Sequence, residues 1–178
     1  YGTPGRIAAF IAESIQGVGG TVEFPAGYLP KAYEHARAAG GVCIADEVQT
    51  GFGRTGTHFW GFETQDADPD IVVMAKSIGN GFPLAAVVTT EEIAESMKER
   101  IHFNTFGGDP LAMAQGLKTL EVMLRDDTQG LCQRIGDRIL EGLRKLEEKH
   151  SLIGEVRGRG LMLGIELVKD RETKEPAT

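Results

Sequence analysis

The chain has 178 residues, enough for one ordinary domain or for a domain and part of another. With 41% hydrophobic and 25% charged residues it is neither a disordered tail nor a low-complexity linker. Its 19 basic and 26 acidic residues give a net charge of −7, which argues against nucleic-acid or anionic-membrane binding. The two cysteines, Cys43 and Cys132, form neither a disulfide framework nor metal-ligand spacing, so no metal site is expected. Glycine is abundant, at 24 residues, and clusters in loops, where it marks tight turns or close backbone approach. The chain starts at Tyr1 rather than methionine and stops in a polar stretch, so it is expected to be a piece of a longer protein.

Residues 7–12 (I-A-A-F-I-A) form an apolar run that predicts a strand buried on both faces. Leu29, Tyr33, Ala36 and Ala39 recur at helical spacing before Gly40 and Gly41 stop the helix. Residues 42–45 (V-C-I-A), 71–74 (I-V-V-M) and 84–89 (L-A-A-V-V-T) predict three more strands. Strands alternating with helical segments predict an α/β fold, a mixed and mostly parallel sheet covered by helices. Thr89 with Glu92 has the form of a capping box, opening a helix to about residue 98. Residues 110–124 predict a helix. Residues 131–148 predict a long amphipathic one, with Ile135, Ile139, Leu143 and Leu146 on its apolar face and a Glu141–Lys145 pair on the solvated face. A last strand is predicted at 161–168, after a glycine-punctuated turn at 157–160. The charged turn R-D-D-T at 125–128 marks the expected boundary between residues 1–124 and the start of a smaller α+β domain at 125–178.

Three motifs bear on chemistry. Gly51-Phe52-Gly53-Arg54-Thr55-Gly56 matches the dinucleotide fingerprint letter for letter, but no strand runs directly into it and an aromatic loop follows it. A nucleotide-binding module is therefore the minor reading. Asp46 and Glu47 directly follow the strand at 42–45, where open α/β sheets bind ligands; either acid there serves chemistry or caps the next turn. Lys76 follows the apolar strand at 71–74, and a lysine closing a buried strand must snorkel, pair or react. An acid and a lysine at the carboxyl ends of successive strands face one crevice. That is what a pyridoxal phosphate enzyme needs: an amine to bind the cofactor and move protons, and an acid to keep its ring nitrogen protonated.

The segments A-D-E-V-Q-T-G-F-G-R-T-G at 45–56 and P-D-I-V-V-M-A-K-S-I-G-N-G-F-P at 69–83 resemble the class III pyridoxal phosphate-dependent aminotransferases. The likeness continues through N-T-F-G-G-D-P at 104–110 and V-R-G-R-G-L-M-L-G at 156–164. Within the class, H-F-W-G-F-E at 58–63 and H-F-N-T-F-G-G at 102–108 are most similar to the type-2 alanine–glyoxylate branch, with ethanolamine-phosphate phospho-lyases and omega-amino-acid aminotransferases as the alternatives. The resemblance implies a fold-type-I transferase, with residues 1–124 in its large cofactor-binding domain. It implies pyridoxal 5'-phosphate as cofactor, and an amino acid and a keto acid as substrates. It also implies a homodimer or dimer of dimers with shared sites, placed in the mitochondrial matrix of a eukaryote or otherwise in the cytoplasm. By the same resemblance Lys76 holds the cofactor, Asp46 pairs with its ring nitrogen, Val48 packs on the ring, and Gln49 reaches the ring hydroxyl. Thr105 matches the threonine that reaches the neighbouring subunit's cofactor phosphate. Glu13 matches a glutamate that gates substrate carboxylate binding by pairing with an arginine. Ser14 and Asp109 depart from the family's usual proline and asparagine.

Overall fold

In a computed structural model describing residues 5–177, the apolar runs pair into a four-stranded sheet. Strands β1 (Ala9–Glu13), β4 (Val42–Asp46) and β5 (Ile71–Met74) run parallel, and β6 (Ala86–Thr89) adds antiparallel to β5. Between β1 and β4 lie a short ribbon, β2 (Ile15–Gln16) with β3 (Val22–Glu23), and helix α1 (Tyr28–Ala38). The register sets Glu13 beside Asp46 and Asp46 beside Val73, so the carboxyl ends of the parallel strands are level.

Helix α1 buries Leu29, Tyr33 and Ala36 against Cys43 and Ala67, with Phe10 and Ala12 of β1 packed at the margin. Both faces of β1 were expected to be buried. One face, with Phe10 and Ala12, is partly buried; Ile11, on the opposite face, is 59% exposed, because no described residue covers it. Cys43 is a fully buried core thiol, and burial raises its pKa.

Helix α2 (Glu91–Glu95) is capped by Thr90, whose hydroxyl accepts from the Ile93 N–H. The cap lies one residue later than Thr89, and the helix is shorter than its pattern suggested. Helix α3 (Pro110–Arg125) starts at Asp109, whose carboxylate accepts the Ala112 N–H at 2.9 Å. Asp and Asn cap equally well, which accounts for that departure from the family pattern. Helix α4 (Thr128–Lys149) follows after two residues, with Asp127 as its cap.

The buried line of α4 is Cys132, Gly136 and Leu140, not the expected aliphatic stripe; Ile135, Ile139 and Leu146 are each at least 40% exposed. Close approach explains the shift: a Cβ at Gly136 would lie on the Gly160 carbonyl, so small residues face the packed side. Residues 157–160, expected as a turn, lie largely in a strand. β7 (Ile153–Arg159) pairs antiparallel with β8 (Met162–Leu167). This hairpin is tied back to the β2–β3 ribbon. Arg157 Nε donates to the Gly20 carbonyl and Arg159 Nε to Glu23 Oε2, both at 2.8 Å. No helix among the described residues is long and apolar enough to cross a membrane.

Candidate active site

Strand β4 delivers Asp46 to the carboxyl edge of the sheet, where the chain turns. Asp46 Oδ1 accepts the Val48 N–H at 3.0 Å, an Asx-type bond that shapes this turn. Its neighbour Glu47 behaves differently. Glu47 is fully buried, and its two oxygens take four hydrogen bonds. Oε1 accepts from Ser14 Oγ (2.5 Å) and Phe62 N (2.9 Å); Oε2 accepts from Thr50 Oγ1 (2.9 Å) and Gly61 N (2.7 Å). Burial pushes this carboxyl above its ordinary range, and the four donors offset only part of that push. Of the two adjacent acids, Asp46 thus braces the turn that follows it with one oxygen, whereas Glu47 spends both oxygens, capping the short 3₁₀ segment Gly61–Gln65 among other contacts. Asp46 is only half-buried and remains at the strand end.

Gln49 turns the other way. Its Nε2 donates to Glu13 Oε2 at 3.1 Å, and the same oxygen accepts the Gly17 N–H at 3.1 Å. Val48, Gln49, Lys76 and Ser77 line one open cavity of about 230 Å³ together with Arg54 and with Leu161 and Met162 at the β7–β8 turn. The Leu161 N–H donates to the Arg54 carbonyl at 3.0 Å, which seats the hairpin tip beside the glycine loop. Arg54, Leu161 and Met162 had not been singled out. The glycines around Arg54 marked its loop, but nothing in the sequence marks the hairpin tip as a wall.

Lys76 is exposed in this chain, so the cost of burying a charge is not what distinguishes it. Its backbone is. Lys76 sits at φ 44°, in the left-handed region that side chains other than glycine rarely enter, at the junction of β5 and a 3₁₀ turn (Lys76–Ile78). Such conformations cost about 1–3 kcal/mol and cluster at functional sites. Thr105 is also exposed, in the segment before α3, and is not among the residues lining the cavity that Lys76 shares with Val48 and Gln49. The glycine loop is not a phosphate cradle. Phe52, Gly53 and Gly56 all have positive φ, and a Cβ on Gly53 or Gly56 would meet Gln129 or Gln133 of α4 within 3 Å. These glycines bring the loop against a helix flank. Trp60 packs edge-on to Phe52 and Phe59 at about 5 Å, a packing role.

Residues 3–178 match the family described as aminotransferase class-III. The chain belongs to that family. Its class III relatives include alanine–glyoxylate aminotransferase 2 homolog 2, mitochondrial, of Arabidopsis thaliana, at 57% identity over all of this chain and 37% of the relative. The human alanine–glyoxylate aminotransferase 2, mitochondrial, is 56% identical over 96% of this chain and 33% of its own length. Among solved structures, a Bacillus anthracis aminotransferase superposes with a TM-score of 0.90 at 41% identity, covering 97% of this chain and 40% of that one. An Arthrobacter phospholyase in complex with phosphoethanolamine superposes with a TM-score of 0.89 at 38% identity, covering 95% and 40%. The chain thus spans about a third to two-fifths of the class III proteins it matches. The mixed sheet with its helices is that of fold-type-I transferases.

Proposed function

We propose that this chain forms part of a pyridoxal phosphate-dependent transaminase that moves an amino group from an amino acid to a keto acid. The observation that carries the reading is Lys76, held at φ 44° on the rim of a cavity it shares with Val48 and Gln49, one strand from Asp46. This donor set fits the cofactor: a primary amine for its aldehyde, an aliphatic wall for its ring, an amide for its hydroxyl, and a carboxylate with one oxygen not used by the turn. Bound pyridoxal phosphate supplies an electron sink for the charge left on the substrate's Cα. The rest falls to this chain's residues. Lys76 Nζ would hold the cofactor and, once free of it, would take the proton from the substrate's Cα as a general base. Asp46 would hold a proton on the ring nitrogen, an electrostatic contribution of roughly several kcal/mol. Val48 would pack on the ring, and Gln49 would reach its hydroxyl.

Identity of 56–57% to relatives named alanine–glyoxylate aminotransferases supports alanine and glyoxylate as the substrate pair over phospho-lyase chemistry. Both relatives are named as mitochondrial, which supports a mitochondrial site in a eukaryotic source. Exposed Thr105, flanked by Phe103 and Phe106 at over 80% exposure, supports a homodimer or a dimer of dimers in which this hydroxyl reaches the neighbour's phosphate. The two-residue link between α3 and α4 supports the division into residues 1–124 and 125–178. Titrating the full-length enzyme and its Lys76→Ala variant with pyridoxal phosphate tests the reading. The variant is expected to lose the visible absorbance of the lysine-bound cofactor and all turnover. A variant that kept both would refute it.

A further inference from the structure

We infer that Glu13 is a positioning residue for Gln49, holding its amide by accepting a hydrogen bond, with Gly17 leaving the space in which that amide rests. The inference builds on the function proposed above. Glu13 is the last residue of β1, level with Asp46, and its Oε2 accepts both Gln49 Nε2 and the Gly17 N–H at 3.1 Å. A carboxylate only accepts, so it selects one of the two amide orientations. The nitrogen of Gln49 must face Glu13, leaving its oxygen and second N–H for other partners. Gly17 completes the slot. A Cβ there would lie 2.4 Å from Gln49 Nε2, 2.8 Å from Cδ and 2.9 Å from Oε1, closer than atoms approach without displacement. A side chain at residue 17 would therefore have to push the Gln49 amide, the free end of a flexible side chain, out of its place beside Glu13.

The clamp has a firm base. Ser14, the next residue, is fully buried and donates to Glu47 at 2.5 Å, so successive residues of one segment grip the 47–50 turn at two points. Ser14 holds the buried carboxylate at the start of the turn, and Glu13 holds the amide at its exposed side. Gln49 is thereby fixed where it and Val48 line the cavity beside Lys76. This differs from the role that resemblance implies for Glu13, an electrostatic gate paired with an arginine. A gate needs the charge, whereas a clamp needs only an acceptor.

The two roles separate in Glu13→Gln, which keeps an acceptor oxygen and loses the charge, compared with Glu13→Ala and Gly17→Ala. In the full-length enzyme, Glu13→Ala and Gly17→Ala should each weaken pyridoxal phosphate binding about tenfold, the loss of roughly one charge-assisted hydrogen bond. Glu13→Gln should restore affinity to within about threefold of wild type. The KM for the amino donor should be unchanged relative to kcat in all three. Without cofactor, deuterium uptake by the peptide containing Gly17 should rise in Glu13→Ala and stay low in Glu13→Gln. Equal loss of cofactor affinity in Glu13→Gln and Glu13→Ala would overturn the clamp, as would a rise confined to the amino-donor KM. A wild type that binds no pyridoxal phosphate would refute the proposed function instead, and the Gly17 uptake comparison would still decide the clamp.

Discussion

Replacing Glu47 by glutamine keeps the shape of a fully buried side chain while changing what its second end can do. Each carboxylate oxygen takes one hydroxyl and one backbone N–H: Ser14 with Phe62, and Thr50 with Gly61. Whichever way the amide is flipped, its nitrogen faces one of these pairs. The hydroxyl can rotate and accept, but the N–H cannot, so one buried donor is orphaned against another. An unsatisfied buried N–H costs about 1–3 kcal/mol. Relief from burying a charge works in the other direction, so this range is the upper side of the expected loss. Hydrogen–deuterium exchange reads it locally. The peptide spanning residues 60–65 should exchange roughly 5- to 150-fold faster in Glu47→Gln, with distant peptides unchanged. Glu47→Ala orphans both N–H groups and leaves a void, and should cost about 3–6 kcal/mol. Exchange at residues 60–65 as slow in Glu47→Gln as in wild type would show that the four donors do not depend on the carboxylate.

Tyr33 is 2% exposed and its hydroxyl has no hydrogen-bond partner among the described residues, so Tyr33→Phe should stabilise the fold by up to about 1–3 kcal/mol in thermal melts; a destabilised variant would contradict this. Burial pushes the Asp70 carboxyl up, but hydrogen bonds from Arg37 and the Cys43 N–H outweigh it and hold the pKa below the ordinary range. That stability is present above the unfolded carboxylate's pKa and is lost as pH falls through the lower folded value. Asp70→Asn should therefore flatten the decline in melting temperature from neutral pH to about pH 3, and an unchanged slope would exclude the linkage.

Some of this was legible from residue patterns, and the reasons differ by element. Strand β5 was read to the residue and β4 to within one, because continuous apolar runs bounded by Pro, Asp and Gly leave few alternatives. Strand β7 was missed because Gly154, Gly158 and two arginines break its apolar pattern. The arginines are there to anchor the β2–β3 ribbon, a long-range demand that no local pattern carries. The buried line of α4 was misplaced for a related reason. Hydropathy marks where large side chains are, whereas contact with Gly160 leaves no room for a side chain at Gly136. At the site, the strand-end positions of Asp46 and Lys76 followed from topology alone. The split between Asp46 and Glu47 did not, since it depends on Ser14, Gly61 and Phe62 arriving from elsewhere in the chain.

Reductive trapping tests the central assignment most directly. The full-length enzyme would be incubated with pyridoxal phosphate, reduced with borohydride, digested, and mapped by mass spectrometry. Stoichiometric cofactor mass on Lys76, and on no other lysine, is the expected result. Label on a different lysine, or an unlabelled protein that still transaminates, would contradict the assignment of Lys76 and the site built around it.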